Sequence, residues 1–377
     1  MKAGLVTLDL TNPGPDRAPR RVVVARDAAR ATLVPTSQES HATCVTRGLV
    51  DLQVNGAFGH DFTQNPDRIW DVGRRLVEHG VTAFLPTIIT APVTRYEAAI
   101  AVVAAGPPAG YRGARVLGLH FEGPYLAPSR CGAHDPNWLR EAPGDTLPDW
   151  LLAPELRMVT LAPERPGALG LTRALVRRGV LVSVGHSAAT IDEVQRAADC
   201  GLRAGTHLFN AMTGLHHREP GVAAALLTDQ RLTAGMIVDG VHLHPAMVRL
   251  AWAARGEGGL YLVSDAMAAA GMPPGRHELA GQTVLVENGS VRLANGTIAG
   301  SCVLLDAVVR HTMHQLSTGL AGVIPAATST PMRLLGQSQA ESEVRPAVDW
   351  VVFDETTRPI MTVMDGVVVH DALESEN

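Results

Sequence analysis

Four side chains in this sequence have the types needed for metal-assisted hydrolysis: Glu122, His186, His207 and Asp265. Two imidazoles and a carboxylate, with one coordination position left for water, form the ligand set of a catalytic zinc. Nitrogen and oxygen donors without thiolate also admit iron or another divalent transition metal, so the expected cofactor is one divalent ion, zinc first. A metal so held lowers the pKa of its water toward ~7 and polarises a carbonyl oxygen. Asp265 is then the carboxylate that can take the water's proton and return it to a leaving group. A single buried histidine is more often a hydrogen-bonded core residue than a ligand, and a lone aspartate more often forms a turn. What separates these four is position, because each closes a different strand candidate. The other histidines, among them His79, His244, His277 and His311, default to surface or core roles, and Cys131 and Cys302 to unreactive thiols.

The elements that must bring these groups together are eight short apolar runs: 49–54, 82–89, 115–121, 157–161, 180–184, 203–208, 233–238 and 260–264. They are β-branched or Leu-rich and nearly continuous, as parallel strands covered on both faces should be. Six of them end in polar groups. The first runs out through Asp51, Gln53 and Asn55, the third through His120 and Glu122, and the fifth at His186. The sixth ends through His207 and Asn210, the seventh through Asp239 and His242, and the eighth at Ser264 and Asp265. Helix start signals lie between the runs. Asn65 before Pro66 reads as a cap ahead of a first-turn proline. Thr94 with Glu97, and Thr190 with Glu193, read as capping boxes. Gly80 and Gly201 stand where helices would end.

Eight such strands with helical crossovers predict an α/β fold, a (β/α)8 TIM-like barrel whose chemistry gathers at the C-terminal strand ends. The rival, an open doubly wound sheet, usually carries G-x-G-x-x-G after its first strand, which is missing here. Outside the barrel, strand-like segments at 21–25, 283–286, 291–293, 348–353 and 360–369 accompany the hairpin signals Asn288-Gly289, Asn295-Gly296 and Asp365-Gly366. Residues 1–46 and 336–377 are therefore expected to form a small β-sandwich domain from both chain termini. The barrel occupies 47–335, with a β insertion near 276–298.

Composition narrows the functional classes. The 377 residues carry a net charge of −5, with 46% apolar and 18% charged side chains. That excludes a disordered chain and a polybasic nucleic-acid binder. Lys2 is the only lysine among 32 cationic residues. No internal lysine exists to form a Schiff base, fill a P-loop or bridge two metals. The four cysteines form no C-x-x-C pair, which fits reduced thiols in the cytoplasm. The first ten residues lack an apolar signal segment. The longest apolar run, 98–105, is far short of the roughly 20 residues that span a bilayer.

The segments around these residues resemble the amidohydrolase superfamily, and within it the N-acetylglucosamine-6-phosphate deacetylase family. The likeness runs in order through Asp51-x-Gln53-x-Asn55-Gly56, His120-Phe-Glu122-Gly-Pro124, Gly132-Ala-His134, Gly185-His186-Ser187 and Thr206-His207-Leu-Phe-Asn210-Ala211. It continues through Arg218-Glu-Pro-Gly221, Val238-Asp-Gly-Val-His242 and Ser264-Asp265-Ala266 to Ala326-Ala-Thr328. The resemblance implies hydrolysis of the acetamide of N-acetyl-D-glucosamine 6-phosphate in amino-sugar catabolism and cell-wall recycling. It implies Glu122, His186 and His207 as metal ligands and Asp265 as general base, later general acid. His134 corresponds to a group that contacts substrate and polarises the acetyl carbonyl, and His242 to one that contacts sugar and phosphate. Asn210 and the Ala211 N–H correspond to phosphate donors. Arg218 corresponds to an arginine that reaches the phosphate from a neighbouring subunit, which implies a homodimer. Much of the superfamily has His-x-His where this chain has Gln53-x-Asn55. Neutral amides are weak ligands for a transition metal. One metal is therefore expected, with Gln53 and Asn55 orienting water or ligands. Two alternatives remain open at this point: a one-metal amidohydrolase acting on another amide or an amidine, and a non-catalytic scaffold.

Overall fold

The eight apolar runs become eight parallel strands: β1 (Leu49–Val54), β2 (Val81–Ile89), β3 (Leu119–Glu122), β4 (Leu156–Leu161), β5 (Leu181–Val184), β6 (Ala204–Gly205), β7 (Thr233–Met236) and β8 (Leu260–Leu262). In this computed structural model residues 44–336 and 349–372 are described, with the backbone of 5–10, 20–27 and 30–35. The strands pair in chain order from β1 to β8. All nine residues of β2 are buried, which explains why the runs are continuous rather than alternating. Val50, Leu52, Ala83, Leu85, Met158 and Tyr261 form the packed interior of the barrel. Leu49, Phe84, Ile88, Phe121, Val159 and Val182 turn the other way, onto the helices.

No ladder joins β1 to β8, and the seam is closed by individual bonds. The Asp265 N–H donates to the Gln53 carbonyl at 3.0 Å and the Asn55 N–H to the Ala266 carbonyl at 2.7 Å. The fully buried Asp51 carboxylate accepts the Gln53 and Ser264 N–H groups, each at 3.2 Å. Burial pushes its pKa up to about 7, against the pull of those bonds.

The helical layer consists of α1 (Ile69–Leu76), α2 (Val93–Ala104), α3 (Ala168–Arg177), α4 (Ile191–Asp199), α5 (Val222–Thr228), α6 (Pro245–Gly259), α7 (Leu305–Leu316) and α8 (Ser329–Leu334). Thr190 and Glu193 form the expected reciprocal capping box on α4. Gly80 adopts the left-handed conformation at the end of its turn, with φ 71°. Two expected caps are corrected. Asn65 makes no side-chain cap bond, and Pro66 opens only a short 3-10 turn. Pro92 takes the N-cap position of α2, so Thr94 already lies inside the first turn and cannot cap it.

The termini build one seven-stranded antiparallel sheet. In spatial order its strands are Leu5–Leu10, Arg20–Asp27, Arg30–Pro35, Val367–Asp371, Pro359–Met364, Trp350–Phe353 and Cys44–Arg47. The run expected at 360–369 is broken into two strands by Asp365-Gly366, both at positive φ, the backbone a tight hairpin requires. Val348, expected to begin the preceding strand, lies outside the described residues. A three-stranded sheet (Gly275–Leu279, Gln282–Glu287, Ser290–Leu293) packs through Leu279, Val284 and Val291 against Ile89 and Met267 at the barrel mouth. The four cysteines are free thiols. Among the described residues no helix is long and apolar enough to cross a membrane.

Candidate active site

Glu122 is the last residue of β3, while His186, His207 and Asp265 lie two or three residues beyond β5, β6 and β8. The last three leave their strands with positive φ: 48°, 33° and 50°. This region is unfavourable for residues with a Cβ. Strain of this kind persists only where surrounding packing over-determines it. Here it coincides with the side chains that the barrel brings to one mouth.

Glu122 Oε1 lies 3.2 Å from His186 Nε2 and 3.0 Å from His207 Nε2. The two imidazole nitrogens are 3.1 Å apart. All three groups are buried and could hold one metal ion. His186 Nδ1 lies 2.8 Å from the Arg130 carbonyl. A carbonyl only accepts, so Nδ1 carries the proton and Nε2 presents its lone pair to the other two ligands. The donor set therefore fits a divalent cation. Burial raises the Glu122 pKa, but the two histidines outweigh that and hold it well below the usual carboxylate range. Burial acts the other way on His207, and its bond to Glu122 prevails, so its pKa is raised.

Asp265 is 7% exposed. Asn55 Nδ2 donates to its Oδ1 at 2.8 Å. Burial first, then the Glu122 charge, lifts its pKa to about 6. His134 is buried, with its Nε2 3.9 Å from Glu122 Oε2. The Thr90 N–H donates to its Nδ1 at 3.3 Å, and Thr90 Oγ1 lies 2.8 Å from the same nitrogen. Nδ1 is therefore the acceptor and Nε2 carries the proton. Burial and the neighbouring His186 depress its pKa to about 3, which keeps the ring neutral. Beneath the site, His120 Nε2, Thr160, Thr206 and Ser183 form a buried polar chain with contacts of 2.6 to 2.8 Å.

These groups open onto a cavity of about 340 Å³, within the roughly 300–1,000 Å³ range of small-molecule sites. Asn55, Glu122, His134, His186, His207, Asn210, Ala211, His242 and Asp265 all line it. His242 Nδ1 is bonded at 2.7 Å to Asp239. Gln53 does not line the cavity; its side chain is buried and its Nε2 lacks a partner among the described residues. Asn55 lines the cavity where Gln53 does not, and the pairing of β1 with β2 shifts register between Asp51 and Val54. Arg218 stands outside the cavity on an exposed loop.

Sequence reasoning passed over Thr90 and Arg130, and gave Asp239 no role beyond closing a strand. Thr90 follows the end of β2, where a polar residue closing an apolar run was the available signal. Asp239 lies just after β7, three residues before the histidine it orients. Arg130 acts on His186 through its main-chain carbonyl, for which no side-chain signal exists.

No family model matches the chain. An N-acetylglucosamine-6-phosphate deacetylase from Homo sapiens is 38% identical over 345 residues, 86% of this chain and 83% of the human protein. The chain belongs to the N-acetylglucosamine-6-phosphate deacetylase family. An N-acetylgalactosamine-6-phosphate deacetylase from Escherichia coli O157:H7 is 40% identical over 318 residues, 83% of this chain and 84% of that one. Among solved deacetylases, a mutant from Mycobacterium smegmatis in complex with N-acetyl-D-glucosamine-6-phosphate superposes with a TM-score of 0.84 at 32% identity, covering 98% of this chain and all of the other. The Thermotoga maritima N-acetylglucosamine-6-phosphate deacetylase gives 0.86 at 26% identity over 98% of this chain and 100% of its own. The deacetylase fold thus extends over the terminal sheet as well as the barrel.

Proposed function

We propose that the chain hydrolyses the acetamide of N-acetyl-D-glucosamine 6-phosphate to D-glucosamine 6-phosphate and acetate, in amino-sugar catabolism and cell-wall recycling. The observation that carries the reading is a buried Glu122–His186–His207 ligand group sharing one cavity with the carboxylate of Asp265. Those three residues would hold one divalent ion, zinc first among the candidates, with iron or another transition metal as rivals. Such an ion, when bound, lowers the pKa of water toward ~7 and polarises a carbonyl oxygen. The protein's own groups do the rest. Asp265, held by Asn55, accepts a proton from the attacking water and passes it to the departing amine. His134, neutral and protonated on Nε2, donates to the oxygen on which negative charge develops.

Asn210, the Ala211 N–H and His242 supply donors for the sugar and its phosphate. Arg218, exposed and without an ion-pair partner among the described residues, is assigned to the phosphate of a neighbouring subunit in a homodimer. A guanidinium fork suits a phosphate dianion. A cytoplasmic location belongs to the same proposal, because a charged sugar phosphate does not cross a bilayer unaided.

The 40% identical relative named for the galactosamine epimer gives a second substrate a specific claim. One assay separates the readings: acetate release from N-acetylglucosamine and N-acetylgalactosamine, each with and without the 6-phosphate, before and after chelation and metal re-addition. Metal-dependent release from the phosphorylated glucosamine substrate is expected. Equal rates on dephosphorylated sugars would remove the phosphate assignments, and a rate unchanged by exhaustive chelation would sink the metal reading. Retention of all four chemical groups in one cavity speaks against an inert scaffold.

A further inference from the structure

At the opposite end of the barrel, where β6 and β7 begin, four arginines line one cavity. It has a volume of about 520 Å³ and is lined by Arg203, Arg231, Arg255 and Arg333 together with Gln230 and Thr233. Among the described residues no carboxylate lines it. Arg231 is neutralised by Asp199 and Asp229, each at 2.6 Å. The other three have no carboxylate partner among the described residues, only main-chain carbonyls. Arg203 donates to Ala198 and Leu202 at 2.7 and 2.8 Å, Arg333 to Gly258 at 2.6 Å, and Arg255 to Leu232. The Arg255 Nε and Nη1 atoms are buried with no acceptor among the described residues. Three like charges around one hollow repel each other, and carbonyl dipoles offset only part of that cost. Burial also lowers the Arg255 pKa, with Asp229 acting against it. In a chain of net charge −5, this concentration of positive charge has to be explained locally.

We propose that this cavity binds a phosphate-bearing small anion at a site separate from the catalytic mouth. Guanidinium groups match the geometry of tetrahedral oxyanions with paired N–H donors. Gln230 and Thr233 add neutral polar groups to the lining. Arg203 immediately precedes β6 and Thr233 opens β7. Residues beyond the far ends of the same two strands, His207 and His242, line the catalytic cavity. The proposed anion site and the substrate cavity therefore cannot share one bound phosphate.

Calorimetric titration of the metal-loaded enzyme with inorganic phosphate and, in a parallel arm, glycerol 3-phosphate tests the proposal. The comparison protein is the Arg203→Gln, Arg333→Gln double variant, whose altered residues are exposed and remote from the catalytic cavity. The wild type is expected to show a binding event that weakens with added salt and that the variant loses or weakens by about tenfold or more. The variant's kcat and KM should be unchanged in phosphate-free buffer. The arm that shows the variant-sensitive event tells a free oxyanion from an esterified one. Identical isotherms for the two proteins would overturn the site. Should the variant fail to fold, tungstate soaked into wild-type crystals decides the matter: an anomalous peak among the arginines supports the site, and one confined to the catalytic mouth refutes it.

Discussion

Asp265 has one shape to keep and one proton to move. Replacement by Asn preserves the bond partner of Asn55 but removes the proton relay. Turnover is expected to fall by roughly 10²–10⁴-fold, with metal content and substrate binding retained; near-normal rates in Asp265→Asn would end its assignment as base and acid. Thr90 works at one remove. Thr90→Val keeps the main-chain N–H on His134 and deletes the hydroxyl contact at 2.8 Å. Losing one net hydrogen bond's worth of orientation should lower kcat by roughly tenfold, while thermal unfolding stays close to wild type. The pairing of Gln53 and Asn55 with a lysine-free barrel argues for one metal per chain. Elemental analysis that repeatedly returns two would show that neutral amides can complete a second site here.

At the scale of elements, helix α4 shows how a local signal becomes stability. Thr190 Oγ1 accepts the Glu193 N–H and Glu193 returns the bond to the Thr190 N–H. Thr190→Ala should cost about 1 kcal/mol, read as a lower denaturant midpoint with unchanged m-value and unchanged kcat/KM. α2 lacks any side-chain cap because a proline occupies the position. The polar ends of the strands behave differently from the helix caps. They carry unfavourable backbone angles at His186, His207 and Asp265. The short β6 is tightly packed: a Cβ at Gly205 would stand 2.4 Å from the Leu226 side chain on α5, so any side chain there must push Leu226 aside.

Across the whole molecule, Asp306 ties the end of the first helical segment to α7. It stands in the first turn of α7, bonds His79 beyond α1 at 3.1 Å and Arg310 at 2.7 Å, and Arg310 reaches the Thr357 carbonyl in a turn of the terminal sheet. Burial raises the Asp306 pKa, but His79 and Arg310 outweigh it and hold the carboxyl below its ordinary range. A depressed folded value contributes stability above the unfolded pKa of about 4. That contribution is lost as pH falls through the folded value. Asp306→Asn should therefore be less stable than wild type by roughly 1–3 kcal/mol at neutral pH, and the gap should narrow under acid. A gap that stays constant down to the acid transition would show that shape, not charge, is what Asp306 supplies.

The order of strands, the barrel and the gathering of Glu122, His186, His207 and Asp265 at one cavity were legible in the chain. Continuous apolar runs report burial on both faces, and a barrel of this order has only one mouth to which its strand ends can point. The hairpin of the sheet at the barrel mouth was legible through Asn288-Gly289, and the terminal one through Asp365-Gly366. What the chain could not display was any contact made through main-chain atoms or across long separations. The Arg130 carbonyl that sets the His186 tautomer, the Thr90 N–H that sets that of His134, and the Asp51 carboxylate across the β1–β8 seam belong to this class. So does the arginine-lined cavity beneath β6 and β7, contributed by segments 130 residues apart (Arg203 and Arg333). Residue type and periodicity depend on each segment's own burial, which the chain carries with it. Protonation state, tautomer and local field depend on which foreign atoms lie within about 3 Å, and only the closed barrel decides that.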